Sequence, residues 1–190
     1  MKQTKRLQKL YNMGKTVYSA DELKEVWNIS GNTFRQTVKR LVDKGLLFRQ
    51  SKGVYSTKED CNTYELANTL VTPSYISLNS SLVYFDVAFQ VLTAVNSIAR
   101  YSYKTKIDEM KYRYYKVKDE IFFDSTGIRT RNSITIASPE RAICEAYYLD
   151  LLVNIDNPEP LNKYSLQETV KIFPGSVQEK VNKLIQDYGL

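Results

Sequence analysis

The sequence predicts an α+β protein of two domains, in which a basic domain of helices and a β-hairpin precedes a mixed α/β domain. The first observation is periodicity: apolar residues recur with helical spacing before residue 45, and strand-like alternation is found over residues 100–117. The second is charge. Residues 1–58 hold 13 Lys and Arg but 4 Asp and Glu, a net charge of +9, so residues 59–190 have a net charge of −3 within a total of +6. We place the boundary in the polar stretch 58–63 and expect domains 1–60 and 61–190.

The segment from Ser30 to Gly45 predicts a helix with two different faces. Phe34, Val38 and Leu41 recur at helical spacing and form a narrow stripe that must be buried. We expect Ser30 to cap the N-terminus of this helix and Gly45 to end it in the left-handed conformation. The opposite face carries Arg, Lys, Asn and Gln, whose side chains suit base edges and phosphates. The simpler interpretation is a solvated amphipathic surface helix.

The neighbouring segments favour the first interpretation. A second short helix is predicted over 19–27, and residues 28–31 form a tight joint between the two helices. Residues 46–56 then predict a hairpin with a Gly-containing turn. Helix, tight turn, helix and hairpin are the parts of a winged helix-turn-helix, and such a basic domain attracts a polyanion such as DNA. The residues that we expect to contact duplex DNA are Asn32, Thr33, Arg35, Gln36, Lys39, Arg40, Arg49 and Lys52.

The second domain is predicted to mix helices and strands. Helices are expected over residues 64–70, 77–85, 138–153, 165–173 and 176–188, and strands over 89–95, 100–106, 110–117, 121–123 and 133–136. The helix at 138 has the clearest start, because Ser138 can cap it and Pro139 suits its first position.

One part of this domain, residues 100–118, combines positive charge with aromatic side chains. It holds seven basic and two acidic residues together with five tyrosines. Such a segment could bind RNA or single-stranded DNA, or it could bind an acidic partner protein. The commonest explanation is structural: the tyrosines are half-buried on a sheet and the basic residues lie at its rim. The residues of this second basic–aromatic surface are Arg100, Tyr101, Tyr103, Lys104, Lys111, Arg113 and Tyr115.

The sequence offers little for catalysis. It contains no histidine and no phosphate-binding glycine loop, and its two cysteines lie far apart. We therefore expect no catalytic residue, cofactor or metal site. The alternative is a Mg²⁺-dependent nuclease that uses Asp86, Glu109 and Lys111. No long apolar run or secretion signal is evident, so we expect a cytoplasmic protein without a membrane partner.

Four short stretches, in this order and spacing, resemble the AbiEi-type antitoxin family. They are residues 53–55, Tyr75–Leu82, Val91–Val95 and Ile136–Ala142. The resemblance implies a bacterial antitoxin whose winged helix represses its own operon and which counters a nucleotidyltransferase-like toxin. It also implies a role in abortive infection, a defence of bacteria against phage. The partners expected on this basis are that toxin and operator DNA with inverted repeats, bound cooperatively by a monomer or weak dimer. A stand-alone winged-helix regulator without a toxin is the alternative.

Overall fold

The computed structural model describes residues 3–190, which form an α+β protein of two compact units. The first unit ends at Thr72 and the second comprises Pro73–Leu190. The elements of the first unit are the helices α1 (Gln3–Asn12), α2 (Ala20–Trp27), α3 (Gly31–Asp43) and α4 (Thr63–Leu70) and the strands β1 (Val17–Ser19), β2 (Phe48–Ser51) and β3 (Val54–Ser56).

The first unit packs α1, α2 and α3 around one apolar core. Leu10, Leu23, Leu41 and Leu47 are fully buried in it, so each of the three helices contributes its apolar face. The predicted helices and hairpin are confirmed. The three-residue strand β1 was not predicted, and it pairs with β3 to give the antiparallel order β1-β3-β2.

The predicted boundary at residue 60 is twelve residues too early, because the first unit extends to Thr72. The reason is a single buried carboxylate on α4. Glu65 accepts hydrogen bonds from the backbone amides of Thr16 (2.7 Å) and Val17 (3.1 Å), and from the Thr16 hydroxyl. These bonds satisfy buried polar groups at the start of β1, so α4 belongs to the first unit despite the polar stretch before it.

The second unit is built on a six-stranded mixed sheet of order β6-β7-β5-β4-β9-β8. The pairs β5–β7 and β4–β9 are parallel and the other pairs are antiparallel. Its strands are β4 (Ser74–Ile76), β5 (Ala94–Ala99), β6 (Tyr103–Ile107), β7 (Met110–Lys116), β8 (Ile128–Arg131) and β9 (Ile134–Ala137), and its helices are α5 (Leu78–Tyr84), α6 (Asp119–Phe123), α7 (Pro139–Tyr148), α8 (Lys163–Thr169) and α9 (Gly175–Tyr188).

The core of the second unit lies between one face of this sheet and its helices. Tyr75 and Ile98 are opposite each other in register and therefore lie on the same face. They belong to a buried cluster that includes Leu82 of α5, Ile143 of α7 and Val181 of α9. All residues of α7 from Pro139 to Ala146 are buried, so this helix is central to the unit.

Two predicted strands of the second unit are wrong. Residues 89–93 form no regular element, and the strand begins only at Ala94. Phe89 and Val91 are 66% and 90% exposed, so they do not belong to a buried central strand. The prediction failed because an apolar run without alternation does not by itself define a strand. Residues 121–123 lie instead in α6, where Asp119 and Glu120 occupy the first turn and favour a helix start. Strands β4 and β8 were not predicted, and α7 ends at Tyr148, five residues before the predicted end.

Candidate nucleic-acid interface

Helix α3 has the two faces that the sequence predicts. Phe34, Val38 and Leu41 are buried, and Thr37 is buried beside them. Every residue predicted to contact DNA is exposed: Asn32, Thr33, Arg35, Gln36, Lys39 and Arg40 on α3, and Arg49 and Lys52 in the hairpin. The apolar stripe therefore fixes the orientation of α3 and leaves its polar face to solvent.

Helix α2 begins with a capping box. The Ser19 hydroxyl accepts from the Glu22 amide, and the Glu22 carboxylate accepts from the Ser19 amide at 2.7 Å. Lys15 forms an ion pair with the same carboxylate. Burial alone would raise the pKa of Glu22, but the hydrogen bonds from Lys15 and Ser19 outweigh it and lower that pKa.

The joint between α2 and α3 is short because Asn28 adopts a left-handed conformation, with φ of 49°. Ser30 stands at the N-cap of α3, but its side chain accepts no hydrogen bond from the helix, so the predicted capping bond is absent. Gly31, the first residue of α3, has a φ of 53°, whereas residues within an α-helix have a φ of about −63°.

The C-terminus of α3 is as predicted. Gly45 is left-handed, with φ of 63°. Its amide donates to Val42 and the Leu46 amide donates to Leu41, both at 2.9 Å. These two bonds form a Schellman motif, which ends the helix sharply and turns the chain toward the hairpin.

The hairpin of β2 and β3 lies beside α3. The register between the strands shifts from Arg49 to Ser51, which is a β-bulge, and Gly53 supplies a left-handed turn residue, with φ of 79°. A groove of about 290 Å³ separates the hairpin from the helix. Arg35, Lys39 and Arg49 line it, so the structure brings together cations from both elements.

Sequence reasoning missed two parts of this arrangement. Tyr55 of β3 lines the groove and is half-buried. On α1, Arg6 donates from Nη1 to the Thr37 hydroxyl at 3.2 Å, and its carbonyl accepts from the Trp27 indole at 3.2 Å. The sequence signal for this contact was Thr37, a polar residue on the otherwise apolar face of α3, which needs a hydrogen-bonding partner when buried.

The second basic–aromatic set is divided between two faces of the sheet. Lys104 lies opposite Arg113 and Lys106 opposite Lys111, so these four residues share one face of β6 and β7. Tyr103 and Tyr114 share the other face, with ring centroids 5.9 Å apart. Neighbouring residues of a strand point to opposite sides, so Tyr103 and Tyr114 are separated from the cations by the sheet. Lys106 was not predicted as part of the set.

The remaining residues of the set lie around this hairpin. Tyr115 shares the face of Arg113 but is half-buried and packs against the core. Arg100 precedes β6, pairs with Asp119 at 3.5 Å and stacks on the Phe123 ring at 5.4 Å. Tyr101 is 54% exposed.

The residues of the nuclease alternative belong to separate elements. Asp86 follows α5 in a left-handed conformation, and its carbonyl accepts from the Asn157 side chain at 3.2 Å. Glu109 lies in the turn between β6 and β7, where its side chain is 98% exposed and pairs with Lys106. Within residues 3–190, no group of three or more His, Cys, Asp or Glu residues is arranged to hold a metal ion.

A buried ion pair occupies the centre of the second unit. Arg141 and Glu145 are both fully buried on α7, and Arg141 Nε donates to Glu145 Oε1 at 2.6 Å. The Tyr75 hydroxyl donates to the same oxygen at 2.6 Å, and the Ser77 hydroxyl donates to Oε2. Arg141 Nη2 also donates to the Ile121 carbonyl at 2.6 Å. The pair therefore joins α7 to the β4–α5 segment and to α6.

The surroundings keep both partners of this pair hydrogen-bonded and Arg141 charged. Burial would lower the pKa of Arg141, but the adjacent Glu145 raises it above its usual value. Burial and Glu145 raise the pKa of Tyr75, which stays a hydrogen-bond donor. Gly127, with φ of 74°, allows the close approach, since a Cβ there would lie 2.9 Å from that of Arg141.

The stretches 75–82 and 136–142 meet at this ion pair, since Tyr75 and Ser77 belong to the first and Arg141 to the second. Of the helices within residues 3–190, none is sufficiently long and apolar to cross a membrane. No protein-family model matches the sequence, and no curated protein sequence matches it significantly.

Proposed function

We propose that the first unit is a winged helix-turn-helix domain that binds duplex DNA, and that the protein is a transcriptional repressor. The observation that carries this proposal is the geometry of α3 and the hairpin. The buried stripe of α3 directs its Arg, Lys, Asn and Gln side chains outward, and the hairpin places Arg49 on the same groove as Arg35 and Lys39. A major groove admits one α-helix, and these side chains match its hydrogen-bonding groups.

The two elements have different roles in the proposed complex. Arg35 and Gln36, near the N-terminal half of α3, contact base edges, because Arg and Gln can form paired hydrogen bonds with guanine and adenine. Arg49 and Lys52 of the hairpin contact phosphates, which hold the domain in register without reading sequence. Repression follows when the bound protein covers a promoter.

The resemblance to AbiEi-type antitoxins extends the proposal. On that basis the repressor acts in the cytoplasm as the antitoxin of a bacterial toxin–antitoxin operon, regulates its own promoter and counters a nucleotidyltransferase-like toxin. Two of the resembling stretches lie together in the folded second unit, at the ion pair of Arg141 and Glu145. A reading frame for such a toxin directly downstream, and rescue of growth by co-expression, would test this part; neither result is expected of a stand-alone regulator.

DNA binding is tested by selecting a preferred duplex with the full chain and titrating variants against it and against unrelated DNA at two salt concentrations. Arg35→Ala should cost about 1–3 kcal/mol on the selected duplex and change binding to unrelated DNA little. Lys52→Ala should weaken both and make the salt slope shallower by about one. Lys183→Ala is the matched control, because it removes an exposed cation of α9, outside the proposed DNA-binding surface.

A protein that selects no duplex, or whose binding is indifferent to salt, would contradict the proposed function. If Lys52→Ala abolishes sequence preference while Arg35→Ala weakens all binding equally, the hairpin reads the bases and the assigned roles are reversed.

A further inference from the structure

Strand β6 forms one edge of the six-stranded sheet, and no strand of residues 3–190 pairs with its outer side. Its five residues therefore offer a row of backbone donors and acceptors for pairing. Lys104 and Lys106 project from one face of this edge, and Tyr103, Thr105 and Ile107 from the other.

Positive charge is concentrated on one face beside this edge. Lys104 faces Arg113 across the hairpin, and Lys106, which pairs with Glu109 at 2.9 Å, faces Lys111. Like charges directly opposite each other destabilise a strand pair. The second unit as a whole has 14 Lys and Arg and 14 Asp and Glu, so this positive charge is local and is not a property of the whole unit. An anionic partner would relieve the repulsion that the hairpin tolerates.

We propose that the outer edge of β6 binds an acidic, extended segment of a partner protein by strand addition. The added strand hydrogen-bonds to the backbone of β6 and places alternate side chains on the two faces of the sheet. On one face its residues adjoin Lys104 and Lys106, and on the other they adjoin Tyr103, Thr105 and Ile107. The preferred segment therefore alternates acidic and apolar residues.

Two other occupants fit this edge less well. A second copy pairing through the same edge would set lysine beside lysine, which is how edge strands commonly avoid self-association. A single-stranded nucleic acid needs accessible aromatic rings beside the cations for base stacking, but the exposed Tyr103 lies on the opposite face, and Tyr115, on the basic face, is half-buried against the core.

The test measures fluorescence anisotropy of a labelled peptide of alternating glutamate and valine with the full chain. A second peptide keeps every glutamate but has proline in place of valine, which retains the charge and removes the backbone donors needed for pairing. The alternating peptide should bind and the proline peptide should not. Lys104→Glu and Arg113→Glu should each reduce affinity by about tenfold or more, whereas Lys183→Glu, with the same change of charge on α9, should not.

Several outcomes would overturn the proposal. Equal binding of the two peptides would show simple charge attraction without strand addition. Absence of binding by the alternating peptide, or unchanged affinity in both Lys104→Glu and Arg113→Glu, would exclude this edge. Displacement of the peptide by single-stranded RNA of equal charge, with tighter binding of the RNA, would assign the face to nucleic acid.

Discussion

The two units of the protein use charged residues in opposite ways. In the first, the cations of α3 and the hairpin are exposed, and the buried carboxylate of Glu65 accepts hydrogen bonds from Thr16 and Val17. In the second, Arg141 and Glu145 lie fully buried at the centre, each with several hydrogen bonds. Exposed charges add little to stability and remain available to a partner, whereas a buried pair couples the elements around it and cannot lose one member cheaply. The difference separates residues that we propose to bind DNA from residues that hold the fold.

The largest expected effect concerns the buried pair. Glu145→Ala should reduce the free energy of unfolding by about 3–5 kcal/mol, because it leaves the buried Arg141 charge with only the more distant Asp124 carboxylate, at 3.8 Å. Urea unfolding followed by far-ultraviolet circular dichroism measures it. Glu168→Ala, which removes the exposed ion pair with Lys171, should cost less than about 1 kcal/mol. Similar losses in the two variants would show that burial does not distinguish these ion pairs.

A smaller effect should appear at the half-exposed capping box of the first unit. The pKa of Glu22 lies below its usual value of 4.5, so its ionised form stabilises the folded state above that pH and loses this effect as the pH falls through the lowered pKa. Glu22→Gln should therefore cost up to about 1 kcal/mol near neutral pH and nothing in strong acid.

Fluorescence of Trp27, the only tryptophan in the sequence, reports this unfolding in the first unit. Lys15→Met should remove much of the pH-dependent difference, because Lys15 pairs with the same carboxylate. A difference between wild type and Glu22→Gln that stays constant across the acid range would show that the charge of Glu22 is not the cause.

The smallest effect has the opposite sign. Lys104→Glu replaces a like-charged pair with an ion pair to Arg113 and should stabilise the second unit by about 0.2–1 kcal/mol. Thermal unfolding measures it, with Lys183→Glu as a control that should not stabilise. If Lys104→Glu is more stable than wild type but no longer binds the acidic peptide, the basic face reduces stability and serves peptide binding. Destabilisation by Lys104→Glu would mean that the repulsion is already compensated in the fold.

Local patterns were sufficient for the first unit because its determinants are close in sequence. Phe34, Val38 and Leu41 define the buried face of α3 by their spacing, and Gly45 ends the helix by its own backbone preference. Once this face of α3 is buried, its opposite, polar face must point to solvent. The alternation in β6 and β7 likewise predicted two strands, but not that their cations and tyrosines would be separated by the pleat.

The features that sequence reasoning missed depend on residues far apart in the chain. Glu65 assigns α4 to the first unit only because Thr16 and Val17 lie beside it. Residues 89–93 and 121–123 are as apolar as many strands, and only the packing around them decides that neither is one. Short apolar runs are ambiguous until tertiary contacts select between helix, strand and loop.

The sequence by itself determined the α+β class, the basic first unit and the helices with clear periodicity, because these depend on composition and on neighbours within a few turns. Tertiary structure alone decided the strand order, the like-charged face beside β6 and the network in which Tyr75 and Ser77 meet Arg141 and Glu145. The strand order and the buried network bring together residues far apart in the chain, about seventy apart for Tyr75 and Glu145, and the like-charged face depends on the exact register of β6 and β7. Burial and register set the energies of these contacts, and no local pattern contains them.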